Sequence, residues 1–268
     1  SVGDYAITQG TVAVSSNYQI TWVDGKLTIT NKIVPYILWN NPSNITYGTL
    51  LSATQLNAVL KVSSGGANLD GTCVYTPALN TLLDAGSHTL SVTCTPTDGT
   101  TYSNKTTTVT IVVEPAQLTV TVTASNKPYD TSRSASVTPG SLLGKVGSDD
   151  VSLTAGKITG VFADATSANG KTVTLTVASN PLGGTKASNY VLSTPTNPTA
   201  NITKVTVNVT AQGQSVVAGS NLAALTFVVA SLVGGETGDP FTGITCSTDY
   251  TTSDSAGTSR SITCTGGT

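Results

Sequence analysis

Charge is the first thing this chain lacks. Only 10% of its 268 residues are charged, and the formal net charge is −2. So few Lys and Arg leave no basic stripe for nucleic acid and no cluster that would draw the chain to an anionic membrane. Met is absent, His occurs once and aromatic residues make up 5%. General acid–base work and metal binding draw mainly on side chains that are rare here. The composition therefore argues against an enzyme and implies no cofactor. No run of about 18 apolar residues offers a membrane span, so no membrane insertion is expected. The chain opens at Ser1 without a signal-peptide pattern and closes without a sorting tail. The reading is either a mature form or a window of something longer.

Thr and Gly are abundant instead. Thr occurs 50 times and Gly 26 times. With Val, Thr suits a pleated, half-buried surface, so the balance favours strands over helices. Disorder is not the expected state, because hydrophobic residues reach 38% and come in alternating β-branched runs. The length fits two or three domains, or one large all-β domain.

The four cysteines fall into two close pairs, Cys73 with Cys94 and Cys246 with Cys264. Neither pair has zinc-site spacing, and the single His cannot complete such a site. Four cysteines allow three pairings, and proximity in strand-like segments favours these two. Four buried free thiols are the competing reading. Each bridge would close a loop of about 20 residues, worth about 3 kcal/mol in the chain-entropy model. The expected compartment is oxidising and extracellular, at a cell surface or beyond it.

Three stretches alternate with period two. Val205, Val207 and Val209 alternate with Thr206, Asn208 and Thr210; Leu118, Val120 and Val122 alternate with threonines; Val109, Ile111 and Val113 share one face of Thr108–Val113. Half-buried antiparallel strands read this way. Turn signals lie between them, among them Asp98-Gly99, Pro139-Gly140, Asn169-Gly170 and Gly234-Gly235. Leu51–Lys61 alone could be read as a helix. The expected class is all-β, with serial β-sandwich modules arranged end to end.

The joints between modules repeat. Strands end at Lys32, near Pro115 and at Lys204, and each is followed at once by a new unit. Ser16-Asn17-Tyr18-Gln19-Ile20 leads into Leu27-Thr28-Ile29, just as Ser188-Asn189-Tyr190-Val191-Leu192 leads into Ala200-Asn201-Ile202. Self-similarity of this kind marks an array of modules. With almost no linker at the joints, stiff coupling is expected.

Lys127-Pro128-Tyr129-Asp130-Thr131, Gly147 to Val151, Gly160 to Asp164 and Ser188-Asn189-Tyr190 resemble the YDG module of bacterial surface proteins. Thr131 stands where the family has Gly. Residues 33–116 resemble a bacterial Ig-like repeat, through Trp39-Asn40, Ile45 to Leu50, Cys73 to Pro77 and Cys94 to Asp98. Residues 205–268 are similar to the opening half of an MBG module, with Val217-Ala218-Gly219 in place of its Tyr-Gly. Residues 1–32 are similar to the closing half, through Gly3 to Ile7 and Asn17-Tyr18. The resemblance implies 117–204 as the YDG-like module, and a long, non-catalytic stalk of a secreted adhesin.

A half-module would leave an unpaired edge and an open apolar face. The expectation is head-to-tail completion between copies, with Ser1, Val2, Tyr5, Ile7, Gly266, Gly267 and Thr268 at the joint. That arrangement makes a homopolymer filament, or one period of a covalent tandem chain. A chain cut short at both ends is the bland alternative. Other copies of itself are thus the expected partners, with glycans as a further possibility.

The remaining candidates are weaker. Asp84, Ser87 and His88 sit within one turn, too tightly to line up as a hydrolytic triad. Asp130, Asp149, Asp150 and Asp164 supply calcium-type ligands without a known loop spacing, and turn or capping roles are favoured. Asn44, Asn104, Asn201 and Asn208 lie in N-x-T sequons, open to glycans in some secretory settings. Trp22, Trp39 and Tyr129 could form a sugar platform in a binding adhesin, but core or joint positions are favoured.

Overall fold

The computed structural model describes residues 1–7, 10–11, 14–236 and 241–267. Among them the only helical segments are single 3₁₀ turns at Ala187–Asn189 and Val233–Gly235, so the fold is all-β. The chain divides into two compact units. One is Ser1–Gln117 with Val146–Asp150 and Thr185–Val191; the other is Leu118–Lys145, Val151–Gly184 and the chain from Leu192 onward. Two short segments of the expected 117–204 module thus group with the first unit.

In the first unit the strands Gly86–Pro96 and Lys105–Glu114 form a long antiparallel ladder, flanked by Gly71–Thr76 and, in parallel, by Ile45–Thr46. The alternation read from the sequence becomes burial. Leu90 lies opposite Val109, and both are buried, as are Val92, Cys94, Ile111 and Val113. A second, two-stranded sheet, Tyr36–Leu38 with Val59–Lys61, adds Ile37 and Leu60 to the buried set. Trp39 is buried too; its Nε1 donates to the Gln55 carbonyl at 3.0 Å and its ring meets Tyr75 edge-on at 5.4 Å.

Leu51–Lys61 is not a helix. The N–H groups of Gln55 and Leu56 both donate to the Ser52 carbonyl, closing one turn. The Gln55 side chain accepts from the Ser52 N–H and hydroxyl, so local side-chain bonds hold a turn. Val59–Lys61 then enters a strand.

In the second unit a five-stranded sheet runs in the order Lys127–Pro128, Thr199–Thr203, Ala168–Val177, Ile158–Phe162, Ser134–Ala135. Only the first pair is parallel. Phe162 lies opposite Val173; both are fully buried and cluster with Ala200 and Ile202. Val120 and Val122 pack with Ile158 in a neighbouring cluster. Gly160 sits where no larger residue fits, since a Cβ there would lie 2.6 Å from Val137 and 2.7 Å from Val173.

Both predicted bridges form. Cys73 lies opposite Cys94 and Cys246 opposite Cys264 in antiparallel pairs, each sulfur pair bonded, and no cysteine is free. A chain with every cysteine in a disulfide belongs in a non-reducing compartment. Among the described residues no helix is long and apolar enough to cross a membrane.

Leu90 is completely buried in the ladder, so Leu90→Ala should cost about 2–5 kcal/mol in a denaturant melt. A loss well under 1 kcal/mol would show that the ladder core is not closed as described.

Candidate functional site: an uncovered amphipathic hairpin

Gly3–Ile7 and Gly25–Ile29 pair antiparallel, with Tyr5 opposite Leu27 and Gly3 opposite Ile29. Directly opposed residues share a face, so the register separates two faces. One carries Tyr5, Ile7, Leu27 and Ile29. The other carries Asp4, Lys26 and Thr28, with Lys26 Nζ 2.5 Å from the Asp4 carboxylate and the Thr28 hydroxyl donating to it at 2.8 Å. The Lys26 bond, then the Thr28 bond, hold Asp4 below its usual pKa. The polar face is knit together. The apolar face is bare: Tyr5, Ile7, Leu27 and Ile29 are all exposed, as are Val2, Tyr18 and Trp22.

Two more hairpins lie after Ile202, where no described residue is buried. Val209–Ala211 pairs with Phe227–Val229, and Thr245–Thr248 pairs with Ile262–Thr265 across the Cys246–Cys264 bridge. Arg260 binds Asp254 at 2.7 and 3.1 Å and Asp249 at 3.2 Å. Beside these hairpins lies a cleft of about 310 Å³ whose walls include Val216, Leu222, Leu225 and Ile262. Gly266 runs so close to residue 243 that a Cβ would lie 2.2 Å from its carbonyl oxygen, and its φ of +91° suits glycine alone. Of the expected joint residues, Ser1, Val2, Tyr5, Ile7, Gly266 and Gly267 are exposed; Thr268 lies outside the described residues.

Taken through the whole chain, no described residue before Pro35 or after Ile202 is buried. Among the described residues the core runs from Pro35 to Ile202.

A polar cluster inside the first unit absorbs several candidates. The Asp149 carboxylate accepts from the Tyr47 hydroxyl at 2.8 Å and the Tyr190 hydroxyl at 2.6 Å, while the two rings meet edge-on. The Tyr190 oxygen in turn accepts from the Val146 N–H at 2.8 Å. Asn189 is fully buried; its amide donates to Asp84 and accepts from the Ala85 N–H, both at 2.8 Å. Lys186 completes the set at 2.7 Å from Asp84. The bonds from Tyr190 and then Tyr47 hold Asp149 below the usual carboxylate range. Burial first, and the Asp149 bond second, push Tyr190 up to about 12 and raise Tyr47 as well.

The triad reading fails on geometry. His88 Nε2 lies 2.6 Å from the Asp84 backbone oxygen, while the Asp84 carboxylate is taken by Lys186 and Asn189. The four aspartates are not gathered either. Asp149 serves the tyrosines, Asp150 accepts from the Thr185 N–H, Asp130 binds Lys127 and the Ser132 N–H, and Asp164 binds Lys171 and Thr166. Among the described residues no three His, Cys, Asp or Glu side chains cluster as a metal site. Asn44, Asn104 and Asn208 are exposed, with Asn44 donating to Glu114; Asn201 is half-buried and accepts from the Gly170 N–H. The aromatics part company. Trp39 is core and Tyr129 bonds Glu236, but Trp22 is exposed and not the plug expected.

Sequence reasoning passed over Tyr47 and Lys186. Their partners lie some hundred positions away in sequence, and no local spacing announces such a pairing.

The fold is all-β and disulfide-bridged, in two compact units. Within it the YDG domain family matches residues 114–200. No curated protein matches the chain.

Of the nine tyrosines, Tyr47, Tyr129 and Tyr190 are raised above their ordinary value. An ultraviolet titration should therefore show a late phenolate fraction, and Asp149→Asn should return part of it to lower pH. Asp149 is depressed in the folded state, so its bonds stabilise above its unfolded value near 4 and are lost as pH falls through the lower folded value. Thermal melts of Asp149→Asn should accordingly show a flatter acid limb. Identical titration and melting curves for the two proteins would refute this arrangement.

Proposed function

We propose that the chain is a non-catalytic structural unit of an extracellular filament or adhesin stalk. Its Ig-like part, 33–116, and YDG-like part, 117–204, span distance, and its two MBG-like half-modules, 1–32 and 205–268, are completed by another copy. The observation that carries this reading is the confinement of every buried residue, among those described, to the stretch from Pro35 to Ile202. An isolated two-stranded hairpin is marginal in water, and a bare apolar sheet face marks an interaction surface. Strand pairing supplies main-chain bonds as well as apolar cover. An end that fits the opposite end of another copy makes a heterologous contact, which propagates. The copies joined in this way are separate chains or successive repeats of one chain. Across-strand bridges at Cys73–Cys94 and Cys246–Cys264 suit modules that bear load.

A second reading, a carbohydrate- or host-binding adhesin segment, draws on the exposed Tyr18 and Trp22, since exposed aromatic rings serve as sugar platforms.

Light scattering and electron microscopy of the purified chain test the first reading. Wild type should form concentration-dependent linear assemblies, and Leu27→Asp, which charges the bare face, should cut assembly at least tenfold. Single-copy particles at every concentration would overturn it. Retained glycan binding by Leu27→Asp, lost in Trp22→Ala, would favour the second.

A further inference from the structure

The chain contains a finished version of its unfinished module. Leu118-Thr-Val120-Thr-Val122-Thr-Ala124 and Val205-Thr-Val207-Asn-Val209-Thr-Ala211 share one pattern, and Ser188-Asn189-Tyr190-Val191-Leu192 matches Ser16-Asn17-Tyr18-Gln19-Ile20. The hairpins correspond as well. Val122–Ala124 pairs with Val137–Pro139 as Val209–Ala211 pairs with Phe227–Val229; Ala168–Val177 pairs with Thr199–Thr203 as Gly3–Ile7 pairs with Gly25–Ile29.

Burial separates the two versions position by position. Leu118 is 0% exposed and Val205 40%; Tyr190 is 6% and Tyr18 75%. Ala200 and Ile202 are 4% and 1%, against 52% and 39% for Leu27 and Ile29. The same places in the pattern are core in one version and bare in the other. In the second version neither half, 205–268 or 1–32, has the cover that its counterpart has in the first.

Resting on the proposed completion between copies, we infer that the strand order of the finished module is reproduced across the junction. The Val205 strand of one copy pairs with Tyr18–Thr21 of a second copy, as Leu118 accepts from the Ser193 N–H at 2.8 Å. Gly3–Ile7 of the second copy continues the sheet from Ile262–Thr265 of the first, as Ala168–Val177 does from Ile158–Phe162. Ser261-Ile262-Thr263 echoes Lys157-Ile158-Thr159 at the start of that strand. The bare face of Tyr5, Ile7, Leu27 and Ile29 then covers the cleft beside Leu222, Leu225 and Ile262. The occupant is a second copy because each copy offers one half of each kind, and matching halves add apolar cover and main-chain bonds at one joint.

Two variants that each add one free cysteine, Ile20→Cys and Val205→Cys, test the register, since the native cysteines are all bridged. Mixed in equal amounts and oxidised, they should give a reducible dimer in which the Ile20 and Val205 peptides are joined. The yield should exceed at least fivefold that of Ile20→Cys mixed with Val217→Cys. A yield equal to that control overturns the pairing. Wild-type light scattering separates the two ideas: assembly without the cross-link leaves completion standing and this register wrong, whereas a chain that stays single sinks both. An internal bridge in the double variant, with none in the mixture, overturns a second copy as the occupant.

Discussion

A β-strand with one apolar face has to be covered. Alternation makes every half-buried strand amphipathic, and each apolar side chain left in water forgoes about 25 cal/mol for every Å² that burial would remove. In this chain the rule is met and then left unmet within the same polypeptide. Between Pro35 and Ile202 the alternating residues find cover; outside that stretch, in the described residues, they do not. Fold, candidate site and proposed role all follow from that contrast.

The Cys246–Cys264 hairpin shows how the chain manages local stability without a core around it. Cys246 and Cys264 lie directly opposite each other in a segment where no residue is buried. A covalent tie there limits the unfolded ensemble and keeps an otherwise marginal hairpin paired. The Arg260 contacts with Asp249 and Asp254 add little stability of their own at an exposed site, but they hold the loop between the paired strands in one arrangement. Such a hairpin is ordered enough to present an edge and too thin to close a core.

The tyrosine–carboxylate cluster plays a different part. Asp149 and Asn189 bring the motif residues of 146–150 and 185–191 onto Tyr47, Asp84 and Ala85, with each buried polar group satisfied. Fully satisfied polar contacts of this kind fix one geometry where apolar packing would tolerate several. Residues within the YDG match thus contribute to the unit that holds the ladder.

Much was legible in the sequence because strand physics is local. Period two at Thr108–Val113 and at Leu118–Val122 announced which side chains turn inward, and both stretches bury those residues. Cysteine proximity announced the two bridges, since each pair sits in neighbouring strands. The Leu51–Lys61 ambiguity was decided by the local Ser52–Gln55 bonds together with the Trp39 bond to the Gln55 carbonyl, of which only the last comes from outside the segment. Likewise Val205 and Leu118 carry the same alternation, yet one is exposed and the other buried. The sequence by itself determined strand, face and bridge, since these depend on neighbours along the chain and on side-chain period. Tertiary structure alone decided which faces were covered and how Asp149 was shared, because both depend on what the rest of the chain brings to them.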